Sequence, residues 1–375
     1  MPFSSKSSLV SRPVKFDHQK KESFSHSSSA TTLLDCYDST SSESKEQEQL
    51  QQVVPTKTVF AVGSRKSALA VLQTKLVIAQ LEQFLATKPG TPATSFPLHL
   101  MSTTGDKIQS VSLNKIGEKA LFTKELEVAL ASKSVDFVVH SLKDLPTVLP
   151  PGMAISAILK RVDPRDVVIM ARHNAGMTLA DLPRGSVVGT SSVRRIAQLK
   201  VLFPALVFSD IRGNLNTRMA KLDSADSNYD AIILAAAGVL RLGPGFADRI
   251  SQYLDPKHVL YAVGQGALAV ETRFDDLDSI DLLSNIVDSK TLLECTAERS
   301  LMRNLEGGCS VPLGVCSQWI SPNPSSNSDS NFSPNSFVLH LTASISLLDE
   351  SLGNQLGEIM RGAGADQILA RIPKH

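Results

Sequence analysis

Aromatic residues make up only 5% of the 375-residue chain, and tryptophan occurs once. That is too few for a platform on which nucleic-acid bases would stack. Net charge is equally sparse, since 38 Lys and Arg against 37 Asp and Glu leave +1. No global field draws polyanions, so any anion must be held by a local cluster. Cysteine is scarce as well: Cys36, Cys295, Cys309 and Cys316 contain no Cys-x-x-Cys pair and no paired framework, which fits a reducing compartment. No apolar run approaches the roughly 20 residues that span a bilayer. These absences point to a soluble intracellular protein with no nucleic-acid or membrane partner, expected to be cytoplasmic and a monomer. What is present is a hydrophobic content of 42%, enough for substantial cores, and a length that allows two or three domains.

Met1 to Pro55 is rich in Ser, Lys, Glu and Gln without apolar periodicity, and reads as a disordered tail over residues 1–55. Lys6, Arg12, Lys15, Lys20 and Lys21 make an organelle transit segment the alternative, but Asp17 and Glu22 interrupt the positive charge. Ordered structure is expected from Thr56–Val62, a β-rich run, followed by Gly63–Ser67 and a helix over Ala68–Leu85 with apolar positions Leu69, Leu72, Leu76 and Ala79. Ser67 suits the N-cap. Arg65 and Ser67 would then sit at a helix start, where free N–H groups favour either water or an anion. A strand over Leu98–Thr103, a helix ending at Ala131 and a short buried strand over Asp136–His140 come next. That strand delivers Ser141–Pro146 at its carboxyl end, the edge at which open α/β sheets bind ligands. Lys143 and Asp144 are therefore candidates, while His140 reads as core.

Around Arg161–Arg165 the chain crosses into a second unit. Val167–Met170 and Gly185–Gly189 read as strands, and the latter runs into Thr190, Ser191, Ser192, Val193, Arg194 and Arg195. Three hydroxyls at a helix start supply capping oxygens. Successive helical residues lie about 100° apart, so Arg194 and Arg195 can flank one anion. Arg212 and Gly213 in a turn, Arg218 beyond it, and Gly238 and Arg241 after a strand over Tyr229–Ala235 repeat the pattern of an arginine just past a strand or at a helix start. Guanidinium forks match carboxylates, and the recurrence suits a cleft lined for several of them. Gly264-Gln265-Gly266 lacks the third glycine and the strand–turn–helix setting of a dinucleotide motif. It reads instead as a glycine-softened crossover back to the first unit. Further on, a helix over Thr291–Asn304, with Leu293, Ala297, Leu301 and Leu305 as its apolar positions, is ended by Gly307 and Gly308. Cys309 follows on a tight loop, where it is either a small buried apolar group or a reactive thiol. Ser321–Ser336 is a low-complexity insert.

Seven segments share one order: Gly-Ser-Arg-Lys-Ser at 63–67, Lys-Ala-Leu-Phe-Thr-Lys-Glu-Leu-Glu at 119–127, Val-His-Ser-Leu-Lys-Asp-Leu-Pro at 139–146, Gly-Thr-Ser-Ser-Val-Arg-Arg at 189–195, Arg-Gly-Asn-Leu-Asn-Thr-Arg at 212–218, Ala-Val-Gly-Gln-Gly-Ala at 262–267 and Leu-Glu-Gly-Gly-Cys-Ser-Val-Pro at 305–312. Together they resemble the porphobilinogen deaminases, also called hydroxymethylbilane synthases, over about residues 57–320. The resemblance implies an α/β protein of three domains. Residues 56–160 with 261–281 and residues 161–260 would be like the two lobes of a type II periplasmic-binding protein. Residues 282–375 would form a small α+β domain carrying the cysteine loop. This third domain looks shortened, because Asp349-Glu350-Ser351 joins a strand over Phe337–Leu348 directly to a helix from Leu352, where the family has further strands.

The implied reaction joins four porphobilinogen molecules head to tail, each losing ammonia, to give linear hydroxymethylbilane in haem biosynthesis. A dipyrromethane cofactor would be attached by a thioether to Cys309, and no metal is implied. Asp144 would stabilise the positive azafulvene left by ammonia loss and move protons. Arg65, Arg194, Arg195, Arg212, Arg218 and Arg241 match the family's substrate- and cofactor-binding arginines, with Ser67, Lys143, Thr190, Ser191, Ser192, Gly213 and Gln265 as further contact positions. Two readings from other classes are an inactive polyanion binder and a module for inorganic oxyanions. A stable adduct on Cys309 separates both from the enzyme.

Overall fold

Short apolar strands build the amino-terminal half of the fold in the computed structural model, which describes residues 57–90, 92–107, 122–305, 312–320 and 338–345. They are β1 (Val62–Arg65), β2 (Leu98–Met101), β3 (Phe137–Ser141) and β4 (Met153–Ile158). β1 runs parallel to both β2 and β3. It starts later than the expected run over 56–62 and continues through Gly63 and Ser64 to Arg65. Glycine is required in that strand, because a Cβ at Gly63 would lie 2.6 Å from Val138 Cγ1. Arg65 therefore ends a strand, and Ser67 alone caps the helix α1 (Ala68–Ala86), its hydroxyl accepting from Ala70 N at 3.3 Å.

The buried face of α1 differs from the expected one. Ala70, Gln73, Thr74, Val77, Leu81 and Leu85 face the sheet, whereas Leu76 is 40% exposed and Ala79 is on the solvent side. Small residues let the helix approach β1 closely, and Thr74 satisfies its hydroxyl by donating to Ser64 Oγ at 2.9 Å or Ala70 O at 3.0 Å. The Thr104–Lys107 segment is one helical turn, and the expected helix ending at Ala131 spans Lys124–Ala131.

The chain then crosses to a second sheet of β5 (Asp166–Met170), β6 (Val187–Gly189), β7 (Val207–Ser209), β8 (Ala231–Ala235) and β9 (Gln252–Tyr253). The order is β7-β6-β8-β5-β9, with β6 parallel to β7 and β8, and β5 antiparallel to β8 and β9. It crosses back as β10 (Leu268–Arg273), which inserts antiparallel between β3 and β4 to give β2-β1-β3-β10-β4. The crossover expected near Tyr261–Glu271 is thus irregular only as far as Ala267. Both sheets have one plan: three parallel strands in the order 2-1-3, then an antiparallel strand, then an edge strand. In each, the antiparallel strand is the first to arrive from the other lobe. This is the expected two-lobed α/β architecture.

The two crossing segments lie side by side, with Leu159 N donating to Leu268 O at 3.0 Å and Gln265 Nε2 to Pro164 O at 2.6 Å. Gly266 has φ +92°, and a Cβ there would come within 2.5 Å of Val162 O, so the crossing admits only glycine. Phe60, Val77, Leu81, Phe137 and Leu268 form the first core, and Leu282 and Leu283 belong to it. The second sheet has a core on each face, around Val168, Leu199 and Ile233 on one side and Ile169, Met219 and Ile232 on the other.

A third unit consists of the helix Ser289–Asn304 and an antiparallel pair, β11 (Leu313–Ile320) and β12 (Val338–Ile345). The helix buries Ala297 as expected, but its inner face also carries Glu294, Glu298 and Arg299. Glu298 is bound by Arg161 through two bonds of 2.7 and 2.9 Å and by Gly264 N at 2.8 Å, and so joins this helix to both crossing segments. The tail over 1–55, the Cys309 loop, the insert over 321–336 and the helix from Leu352 lie outside the described residues.

Candidate active site

The carboxyl ends of β1, β3, β6, β7 and β8 converge between the lobes, and a cavity of about 550 Å³ opens there. From the first lobe come Arg65, Lys66, Ser67, Lys143 and Asp144, and from the second Ser191, Arg195, Arg212, Gly213, Arg218 and Arg241. The crossing segment adds Gln265 and Gly266. The local sequence explains this placement. β3 ends at Ser141 and tightens into a 3-10 turn over Leu142–Asp144, whose Leu142 is buried, so Lys143 and Asp144 face the gap. Gly213, at φ +105°, turns the chain so that Asn214 can cap the next helix by accepting from Thr217 N at 3.0 Å. That turn sets Arg212 before the helix, and Arg218 within it donates back to Gly213 O at 2.9 Å.

Among the described residues, seven cationic side chains line the cavity (Arg65, Lys66, Lys143, Arg195, Arg212, Arg218 and Arg241), against one carboxylate, Asp144. Their burial is visible in their acidities. Burial lowers the Lys143 ammonium to about 8, Asp144 opposing this and Arg195 adding to it. Burial likewise brings Arg218 down to about 10, with Arg195 reinforcing and Asp144 opposing, and Arg241 to about 10. Such a lining is stabilised by polycarboxylate ligands, each charge-assisted hydrogen bond contributing about 1.5–3 kcal/mol. Arg195 Nε and Gln265 Oε1 are buried there without a hydrogen-bond partner among the described residues. A dipyrromethane carries acetate and propionate groups and pyrrole N–H donors, which are the partners these atoms require, so the lining fits that cofactor.

Three predicted contact residues stand elsewhere. Arg194 is 4% exposed and does not line the cavity; its Nη1 donates to Asp166 Oδ2 at 2.7 Å and to Leu260 O at 2.6 Å. Arg195 Nη2 bonds the other oxygen of Asp166 at 2.8 Å. The anion flanked by this arginine pair is therefore the chain's own Asp166 at the start of β5. Burial alone would raise that carboxyl, but Arg194 and Arg195 outweigh it and hold the group well below the usual range. Thr190 is fully buried beneath the turn, and Ser192 is used as the cap of the helix Val193–Leu202, accepting from Arg195 N at 3.5 Å. Only Ser191 of the three hydroxyls reaches the cavity, and it donates to Ile211 O at 2.9 Å.

Sequence reasoning passed over Lys66, Gln73 and Phe122, all of which line the site. Lys66 and Phe122 were within quoted motifs, and the Phe122 ring lies 4.5 Å from the Arg65 guanidinium carbon, where the ring face attracts the cation. Gln73 carried a weaker signal, a polar residue on a helix face otherwise apolar or small.

The family model described as porphobilinogen deaminase, dipyromethane cofactor binding domain, matches residues 60–281, and the one described as porphobilinogen deaminase, C-terminal domain, matches residues 292–366. The porphobilinogen deaminase of Nostoc sp. is 45% identical over 327 residues, covering 83% of this chain and 94% of that one. Those of Neurospora crassa and Yarrowia lipolytica are 50% and 51% identical, covering 69% and 68% of this chain and 76% and 74% of theirs. The chain belongs to the porphobilinogen deaminase family. Its activity is that of a hydroxymethylbilane synthase in tetrapyrrole biosynthesis, a deaminating transferase acting on porphobilinogen with dipyrromethane as cofactor. Among the described residues, no helix is long and apolar enough to cross a membrane.

Proposed function

We propose that the cavity between the lobes is where porphobilinogen units are joined, with Asp144 as its catalytic residue and the surrounding cations as carboxylate clamps. The observation that carries this reading is the imbalance of the lining, seven cations around a single carboxylate among the described residues. When bound, the dipyrromethane supplies the pyrrole on which the chain grows. Asp144, the carboxylate that lines the cavity, would supply the negative charge that lowers the energy of a cation formed as ammonia departs. It also accepts the proton released after bond formation. Arg65, Lys143, Arg195, Arg212, Arg218 and Arg241 hold acetate and propionate groups, with Ser67, Ser191, Gly213 and Gln265 as polar contacts. Cys309 is the attachment point of the cofactor. Arg194, Thr190 and Ser192 support this wall from behind.

The functional division that goes with this reading is a first domain of residues 56–160 with 261–281, a second over 161–260, and a third over 282–375 whose sequence includes the cofactor cysteine. The protein works as a monomer in the cytoplasm. The test is the intact mass of the purified protein with peptide mapping of residues 305–314. An increment of two linked pyrroles on Cys309, kept in Asp144→Ala together with a turnover loss of about a hundredfold or more, supports the assignment. Near-normal turnover in Asp144→Ala would remove Asp144 from the chemistry, and an unmodified Cys309 in active protein would remove the attachment point.

A further inference from the structure

His140 has no part in the chemistry above, yet its surroundings are not those of a packing residue. It is 5% exposed, and its Nε2 lies 3.1 Å from Oε2 of Glu271, a fully buried carboxylate on β10. Glu127, on the helix that packs against β1, β3 and β10, is the third ionisable member of the cluster. Burial raises the Glu127 carboxyl above the usual range; Thr123 opposes this, Glu271 adds to it and His140 opposes it. Glu127 Oε1, His140 Nε2 and both Glu271 oxygens are buried without a well-aligned hydrogen bond among the described residues. Nor is any group of His, Cys, Asp and Glu among those residues arranged to hold a metal ion.

A second cavity of about 20 Å³ adjoins the reaction site, and His140 is the member of the cluster that lines it. Arg65, Gln73, Thr123, His140, Ser141 and Asp144 contribute to its wall, and Arg65 and Asp144 line the large cavity as well. A space of that size suits one water molecule, and its wall includes these polar residues, from which two to four partners could come.

We propose that His140 and Glu271 are proton-relay residues serving Asp144 through this small cavity. The proposal rests on the role given to Asp144 above. Each condensation forms one C–C bond and breaks one C–H and one C–N bond. The C–H electron pair stays in the pyrrole ring while the proton passes to Asp144. It moves through the water of the small cavity to the His140 imidazole, whose imidazolium is stabilised by the Glu271 carboxylate 3.1 Å away. In the next cycle the proton returns through Asp144 to the porphobilinogen amino group, which leaves as neutral ammonia with the C–N electron pair. Protons balance over each turn, and Asp144 is reset as a carboxylate before the next C–H bond is broken.

The test compares holoenzymes with cofactor loading verified by mass. Glu271→Gln, nearly isosteric, is expected to lower kcat by about ten- to a hundredfold, to displace the kcat–pH profile and to leave KM for porphobilinogen within about twofold. A readout apart from activity keeps the idea open to refutation if that variant misfolds. The ring ¹⁵N signals of His140, assigned by substituting the other histidines in turn, are followed from about pH 6 to 9 in wild type and in Asp144→Asn. Relay coupling requires those signals to respond to Asp144→Asn. Wild-type kcat and pH profile in Glu271→Gln, or His140 signals indifferent to Asp144→Asn, would overturn the relay. If Asp144→Asn were nonetheless inactive, the role of Asp144 would stand without it. Parallel losses in stability and KM with an unmoved pH profile would reduce the cluster to a structural role and overturn the relay as well.

Discussion

Replacing Asp166 by Asn removes the one charge that balances two buried guanidinium groups. Asp166 has no exposed surface and accepts from Arg194 at 2.7 Å, Arg195 at 2.8 Å and Gln265 at 2.9 Å. Each ion pair, with charge centres about 4 Å apart, contributes about 4 kcal/mol at an effective dielectric constant of about 20. The cost of burying the carboxylate offsets several kcal/mol of that total. In Asp166→Asn the carboxylate term vanishes, but Arg194 and Arg195 remain buried and uncompensated. The net destabilisation is therefore about 3–5 kcal/mol, a large share of the 5–15 kcal/mol that typically separates folded from unfolded chains. Because a chain with several cores need not unfold in one step, the assay is hydrogen exchange at the paired amides of β5 and β8. Their opening is expected to become about a hundredfold or more easier, at 1.36 kcal/mol per factor of ten.

The sign with pH follows from the depressed carboxyl of Asp166, whose stabilisation is full above its unfolded value near 3.8 and is lost only as pH falls through the lower folded value. The difference between variant and wild type should thus be flat from about pH 5 to 8. Adding Arg194→Met should recover part of the loss by removing an uncompensated charge. Less than tenfold faster exchange in Asp166→Asn would refute this account of the buried triad.

Lys143, lowered to about 8, is charged below that pH and progressively neutral above it, so KM for porphobilinogen should rise as pH passes from about 7.5 to 9, and Lys143→Arg should flatten the rise. A flat wild-type profile would remove Lys143 from the clamp. Gly213→Ala places a Cβ 2.6 Å from Thr217 Cγ2 at φ +105° and should cost about 1–3 kcal/mol, together with weaker cofactor retention; thermal melts and intact mass check both. Glu298→Gln removes the carboxylate that Arg161 holds through two short bonds and leaves it only the longer 3.4 Å pair with Glu294, and should destabilise the joint by about 3 kcal/mol. The expected sign is early proteolysis within residues 289–320, and wild-type resistance there would show that other contacts hold the third unit.

Much of the site is legible in the sequence because most of its cations lie at a strand end or in the first turn of a helix (Arg241, which ends a helix, is an exception), and local patterns reveal such places. Asp144 and Lys143 fall at the carboxyl end of a short apolar run, and strand periodicity locates that end whatever the strand pairs with. The face of α1 was not legible. Its leucines occur on two sides, and only the close approach of β1 selects the side bearing Ala70 and Thr74. The inner face of Ser289–Asn304 escaped for a related reason: Glu298 and Arg299 look solvent-exposed until Arg161 and the carbonyls of Leu145 and Pro146 are brought against them.

By itself the sequence determined the strand-and-turn alphabet of the two lobes, the family, and the positive lining of one cleft, since each depends on residues near one another in the chain. The tertiary structure alone decided which charges are available to a ligand. Arg194 and Arg195 are neighbours with identical side chains, yet Arg194 is taken up by the chain's own carboxylate and the Leu260 carbonyl while Arg195 also borders the cavity. Asp166 lies 28 residues before Arg194, on a strand rather than on the helix that carries the arginine, and no local pattern foretells that a distant carboxylate will be driven into the same low-dielectric space, where a charge without a partner is too costly to keep.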